Sequence, residues 1–167
     1  MEESTLKYWK DAGHVARRTL EAMKLELTPG KTFHEVIESA ERYIHRHGGK
    51  PAFPGTIAVN DLAAHFTTDH SVNTVEGWDG EMVLQKGDCV KIDFGVHIKG
   101  HIADNALTFE IGNGNEHTEQ IKAAKEARDA AIEMLHPGTP WYKVGQAAAQ
   151  PTLDAGFQPI RNLCGHQ

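Results

Sequence analysis

The stretch Gly87 to Gly112, GDCVKIDFGVHIKGHIADNALTFEIG, decides how the rest of this chain is read. Cys89 to Ile98 and His101 to Ile111 are both rich in Val, Ile, Leu, Phe and Thr, residues that suit a pleated, half-buried surface. Lys99-Gly100 between them is a two-residue connection whose glycine accepts a positive φ, so the stretch predicts one tight β-hairpin. A turn that short fixes the register: Ile98 faces His101, Asp93 faces Ala106 and Asp104 faces Gly95.

Side chains alternate across a strand, so Asp93, Ala106 and Asp104 project from one face, with the two aspartates on diagonal neighbours about 7 to 8 Å apart at the backbone. Aspartate is a poor strand former, and paired carboxylates among apolar residues repel each other unless positive charge lies between them. One aspartate in a strand is more often a bulge or a strand end facing water. Two on one face point instead to a divalent metal ion, or a pair of them, held by hard oxygen donors.

The 167 residues, 40% hydrophobic and 24% charged, suffice for a single domain with a real core. A formal charge of -6 with scattered basic residues argues against a general nucleic-acid binder, and only Arg17-Arg18 and Arg42 to Lys50 are locally basic. Met1 to Lys10 has no apolar signal core, and no run approaches the roughly 18 apolar residues of a membrane span, so the expected location is the cytoplasm without membrane contact. Cys89 and Cys164 lie far apart with no CxxC spacing, which indicates neither a disulfide framework nor a zinc knuckle, and both read as small buried apolar residues. Of the eleven histidines, His14, His45, His47 and His117 sit in polar surroundings that a solvated helix face explains. His65 and His166 stand out.

Glu3 to Met23 carries apolar residues at helical spacing. A second helix begins after Thr32, which with Glu35 has the form of a capping box; Phe33, Val36, Ile37, Ala40 and Ile44 make its buried stripe and Gly48-Gly49 ends it. Pro51 to Asn60 reads as extended backbone leading into a short strand, with a turn around Asn60-Asp61. Thr67 to Gly87 is rich in turn formers without a clear period and reads as a surface loop with a short approach to the hairpin. Glu116 to Leu135 and Trp141 to Ala155 read as helices, the second kinked or shortened by Pro151.

A repeat runs through the chain at an offset of 108 residues: Pro29-Gly30 matches Pro137-Gly138, Val36 matches Val144, Ala40 matches Ala148, Gly48 matches Gly156 and Pro51 matches Pro159. Matches at Gly and Pro positions predict duplicated helix pairs packed about a pseudo-twofold axis. The first copy leads on into the hairpin; the second stops at Gln167, so the second half is expected to be incomplete.

With VNDLAAHFT, KGDCVKIDFGVHIKGHIAD and NLCGH in place, nearly the whole chain resembles the type 2 methionine aminopeptidases, members of the pita-bread-fold metallopeptidases. IAD at the second aspartate is similar to type 2. The resemblance implies an α/β (α+β) pita-bread fold with a curved antiparallel sheet and outer helices, residues 1–167 forming one catalytic domain truncated before its C-terminal part. It implies Asp93, Asp104 and His166 as metal ligands, His65 as the catalytic and substrate-lining histidine, and two divalent ions drawn from Co, Mn, Fe or Zn. The implied activity is removal of the N-terminal methionine from peptides or nascent proteins by metal-activated water, with the ribosome as a further partner and no specific nucleic acid. The family's other ligands fall beyond Gln167, so the chain as given is expected to be inactive. The loop between Asp69 and Met82 is longer than usual in the family, Pro151 departs from its helix sequence, and His97, on the Asp93 face, is no ligand there. Two alternatives remain open: an Xaa-Pro peptidase or prolidase relative, and a non-catalytic binding protein on the same fold.

Overall fold

The computed structural model describes residues 3–68, 82–112 and 114–163. It forms two compact units, residues 1–114 and residues 115–167.

Among the described residues the first unit is built on two helices, α1 (Glu3–Glu26) and α2 (Phe33–Arg46), and four strands, β1 (Lys50–Pro51), β2 (Thr56–Val59), β3 (Cys89–Ile98) and β4 (His101–Glu110). The hairpin β3–β4 forms with the predicted register along its whole length, from Cys89 opposite Glu110 to Ile98 opposite His101. Its turn residues have φ of 51° at Lys99 and 84° at Gly100, the two positive angles of the type I′ turn that matches strand twist. β4 ends at Glu110, one residue before the predicted Ile111. Ile111 leaves the ladder because it is pulled inward, 1% exposed, with its N–H donated to the Asp88 carbonyl at 2.9 Å.

β3 is the central strand. β4 pairs along one edge, while β1 and β2 share the other, all antiparallel. Val90, Ile92, Phe94 and Val96 point from β3 into the core, each at most 1% exposed, and meet the apolar stripes of both helices: Val15, Ala16, Leu20 and Met23 from α1, and the predicted stripe Phe33, Val36, Ile37, Ala40 and Ile44 from α2. Alternation therefore leaves Lys91, Asp93, Gly95 and His97 on the opposite face. α1 runs three residues past the predicted Met23, because Leu27 is also buried and its N–H still bonds to the Met23 carbonyl.

The predicted surface loop from Thr67 is corrected at its start, its short approach to the hairpin is present at 82–87, and 69–81 lie outside the described residues. Thr67 and Thr68 are buried, and Leu84 is 1% exposed. Met82 accepts the Phe33 N–H and Leu84 exchanges bonds with Gly30 and Lys31, so this short segment is pinned beside the start of α2. Three residues are too few to display a period, which is why the sequence hides the pairing.

The second unit holds α3 (Thr118–Glu133) and α4 (Trp141–Asp154), which pack on each other. α3 is two residues shorter than predicted at each end. α4 stops one residue before the predicted Ala155, and Pro151 lies in its last turn, where its carbonyl accepts the Ala155 N–H. The sequence repeat recurs in the backbone: α4 corresponds residue for residue to α2 at the offset of 108. Gly48 N–H to His45 O and Gly49 N–H to Ile44 O in the first copy become Gly156 N–H to Leu153 O and Phe157 N–H to Thr152 O in the second. The paired glycines agree as well, φ 92° and 87° at Gly30 and Gly138, and 81° and 82° at Gly48 and Gly156.

The capping box at α2 is present in both directions: Thr32 Oγ1 accepts the Glu35 N–H at 3.1 Å and Glu35 Oε2 accepts the Thr32 N–H at 2.8 Å. That backbone hydrogen bond holds the Glu35 carboxyl below its ordinary pKa. Thr32→Ala should cost about 1 kcal/mol in chemical denaturation. A lowered folded pKa means that the Glu35 arm contributes fully above the unfolded carboxyl value, about 4.3, and is lost as pH falls through the lower folded value. The stability gap between the protein and its Glu35→Ala variant should thus close on acidification; a gap unchanged at acid pH would contradict the cap.

Candidate metal centre

On the face of the hairpin turned away from the core, β3 presents Lys91, Asp93, Gly95 and His97, and β4 presents Thr108, Ala106, Asp104 and Ile102 opposite them. Asp93 and Asp104 are therefore diagonal neighbours, about 7 to 8 Å apart at the backbone, as the sequence predicts. Asp104 is exposed and Asp93 half-buried. Oδ1 of Asp93 is buried and receives no hydrogen bond from the described residues, although the side chain keeps other interactions.

The reason for glycine at position 95, facing Asp104, is Phe53. A Cβ built on Gly95 would stand 2.2 Å from Cε1 of the Phe53 ring, and Ala52 N–H holds the Phe53 segment to the Gly95 carbonyl at 2.9 Å. The ring thus occupies the carboxylate face beside Asp104 and makes an apolar wall there. It also borders a groove of about 620 Å³ between α2 and residues 51–54, rimmed by His34, Glu38 and Glu41. Sequence reasoning missed Phe53. The available signal was a glycine in mid-strand, which marks close approach by another group.

Lys91 is a cation on the carboxylates' own face, two residues from Asp93. Its Nζ donates to the Asn60 carbonyl at 2.7 Å, and burial pushes its ammonium below the ordinary lysine range. Asn60 is itself fixed, with φ 52°, its Oδ1 accepting the Cys89 N–H at 2.9 Å and its Nδ2 donating to Asp88 at 3.0 Å. This anchors the ammonium to the end of β2. His97 Nδ1 accepts the Gly100 N–H at 3.3 Å, a structural part in the turn.

His65 follows β2 in the left-handed region, φ 63°, and is exposed. Its neighbour Phe66 is buried against Phe33 with ring centroids 6.3 Å apart, and the Phe66 carbonyl accepts the Ile57 N–H at 2.8 Å. Because Thr56 pairs with Asp93, His65 comes at the margin of the same sheet, two strand spacings or roughly 10 Å from Asp93 at the backbone. His166 and Cys164 lie outside the described residues. The described cysteine, Cys89, is buried as expected, and burial raises its thiol pKa.

Asp93 and Asp104 thus offer two hard oxygen donors on one face, which suits a divalent ion of the oxygen-ligated class better than a soft one. Among the described residues no third His, Cys, Asp or Glu completes a cluster with them. They fit as part of a coordination shell.

The model of metallopeptidase family M24 matches residues 7–167. The chain belongs to that family. It is 38% identical to a methionine aminopeptidase of Thermococcus onnurineus over 93% of this chain and 50% of the relative. The chain spans about half the length of the curated relatives it matches. Among solved structures it resembles a methionine aminopeptidase of Thermotoga maritima, with a TM-score of 0.84 at 26% identity over 99% of this chain and 66% of that one. It also resembles a prolidase of Pyrococcus horikoshii, with a TM-score of 0.76 at 26% identity over 93% and 43%. The fold is accordingly the pita-bread fold of family M24, mixed α/β around an antiparallel sheet, and the family implies divalent metal ions.

The packing of Phe53 against Gly95 gives a direct test. Gly95→Ala should displace the ring and cost about 1 to 3 kcal/mol, the usual range for overpacking. Gly95→Ala combined with Phe53→Ala should cost less than the two single changes added together. Full additivity in chemical denaturation would mean that the two residues do not meet.

Proposed function

We propose that this protein is a methionine aminopeptidase of type 2, removing the N-terminal methionine of peptides or nascent proteins, and that residues 1–167 belong to one catalytic domain. The observation that carries the reading is the pair Asp93 and Asp104, set diagonally on one hairpin face in a chain of family M24. The 38% identity to a methionine aminopeptidase, and a TM-score of 0.84 against 0.76 for the prolidase, favour this reading over an Xaa-Pro peptidase. Retention of both aspartates speaks against a non-catalytic binding protein.

Asp93 and Asp104, with His166, would hold two divalent ions drawn from Co, Mn, Fe or Zn. When bound, such ions supply Lewis acidity and a water of lowered pKa. The remaining work falls to this chain's own groups. Phe53 gives the apolar wall against which an unbranched methionine side chain packs. His65 donates a hydrogen bond from its imidazole to the carbonyl oxygen of the first peptide bond as negative charge develops there. Lys91, tied to Asn60, keeps its ammonium from closing on Asp93. Nascent chains as substrate carry with them a cytoplasmic setting and the ribosome as neighbour; among the described residues no helix is long and apolar enough to cross a membrane.

Asp104→Ala should weaken Mn²⁺ binding, measured by calorimetry, by at least tenfold while the far-ultraviolet spectrum stays unchanged, because the exposed carboxylate is a ligand and carries little of the core. Unaltered Mn²⁺ affinity would remove the assignment. Methionine release from Met-Ala-Ser, without cleavage of Xaa-Pro dipeptides, separates the aminopeptidase from the prolidase.

A further inference from the structure

The segment after β2 carries His65 and is held at both ends. At the Phe66 end the hold is apolar, with the ring buried against Phe33, and the Phe66 carbonyl accepts the Ile57 N–H at 2.8 Å. At the Asn60 end it is polar. The Asn60 N–H donates to the Cys89 carbonyl at 3.0 Å, Oδ1 accepts the Cys89 N–H at 2.9 Å, and Nδ2 donates to Asp88 at 3.0 Å. Its carbonyl accepts from Lys91 Nζ at 2.7 Å, so every polar group of Asn60 is engaged. Between the two ends Asp61, Ala63, Ala64 and His65 are exposed, and the Leu62 N–H closes the turn onto the Val59 carbonyl at 3.0 Å.

His65 has a φ of 63°, which a residue with a Cβ keeps only where its surroundings impose it. The two anchored ends supply that constraint. The partners of Asn60 differ in what they connect it to. Asp88 and the Cys89 backbone join it to the beginning of β3, whereas the Lys91 side chain joins it to the carboxylate face, because Lys91 and Asp93 alternate onto one side of the same strand. Opposite Lys91 stands Ala58, whose single methyl leaves room for the lysine stem to cross towards the end of β2.

We propose that Lys91 is a positioning residue for His65: by holding the Asn60 carbonyl from the strand that carries Asp93, it sets the distance between the histidine segment and the carboxylate face. The inference rests on the role of His65 proposed above. A hydrogen bond to a developing oxyanion helps only when its donor is correctly placed, and a displacement of about 1 Å costs roughly a hundredfold in rate. Lysine suits the part. A protonated ammonium donates hydrogen bonds and has no lone pair to offer an ion, so it can fix the segment without entering a metal's coordination shell.

The test follows the metal-free 167-residue chain by nuclear magnetic resonance in two variants. Lys91→Met keeps an apolar stem and loses the donor, while Lys91→Arg keeps a donor. In Lys91→Met the Asn60 and Leu62 amides should exchange with solvent about tenfold faster, the effect of losing a hydrogen bond to a charged group on local opening. The His65 ring resonance, assigned by its absence in His65→Gln, should move. Exchange at Ile57, which holds the Phe66 end, and at Ile92 and Phe94 within β3 should stay within about twofold. Lys91→Arg should return both readouts towards those of the unaltered protein. Because neither readout uses metal, their failure is distinct from failure of the functional reading, which would appear as absent Mn²⁺ binding at Asp93 and Asp104. An unmoved His65 resonance, equal acceleration at Ile92 and Phe94, or no recovery in Lys91→Arg would each overturn the proposal.

Discussion

The site depends on the register of one hairpin. Side chains alternate with a period of two, so a slip of one residue between β3 and β4 would carry Asp104 to the core face while Asp93 stayed outside. The register is held from three directions. Lys99 and Gly100 supply the two positive φ angles of a two-residue turn. Val90, Ile92, Phe94 and Val96 are committed to the core. Phe53, packed over Gly95, leaves room for no side chain there. None of these groups is a ligand, yet together they decide that two carboxylates meet on one face.

Placing two aspartates beside each other in a strand works against both strand propensity and electrostatics. The unit tolerates this because the opposite face of the same strand is among its best buried surfaces. Lys91 enters the electrostatic balance from the same face, with its ammonium tied to the Asn60 carbonyl rather than placed on a carboxylate. A positive-φ Asn60 and a positive-φ His65 bracket the segment after β2. Such conformations are held only where the surroundings impose them, and they cluster at functional sites.

The features visible in the sequence were those set by local rules. The Lys-Gly turn, the capping box at Thr32 and Glu35, the stripe from Phe33 to Ile44 and the repeat of glycines each depend on a few neighbouring residues, and each is found where the sequence put it. The hidden features depend on residues far apart. Phe53 was concealed because its partner is an absence, the missing side chain of Gly95, 42 positions on in the chain. Pairing of residues 82–84 beside α2 was concealed by shortness. His65 enters as a candidate by family resemblance alone, since one exposed histidine after Ala63-Ala64 carries no periodic or compositional signal.

If the proposed function holds, the shared face of Asp93 and Asp104 binds a divalent ion. Titrating Mn²⁺ into isotopically labelled protein and following the broadening of backbone amide resonances tests it most directly, because paramagnetic relaxation falls off steeply with distance from the ion. Asp93, Asp104, Ala106 and Thr56 should broaden first in the wild-type protein, and the same resonances should stay sharp at that Mn²⁺ concentration in an Asp104→Ala variant. Broadening that begins instead at His34, Glu38 and Glu41, or that is unchanged in Asp104→Ala, would contradict it.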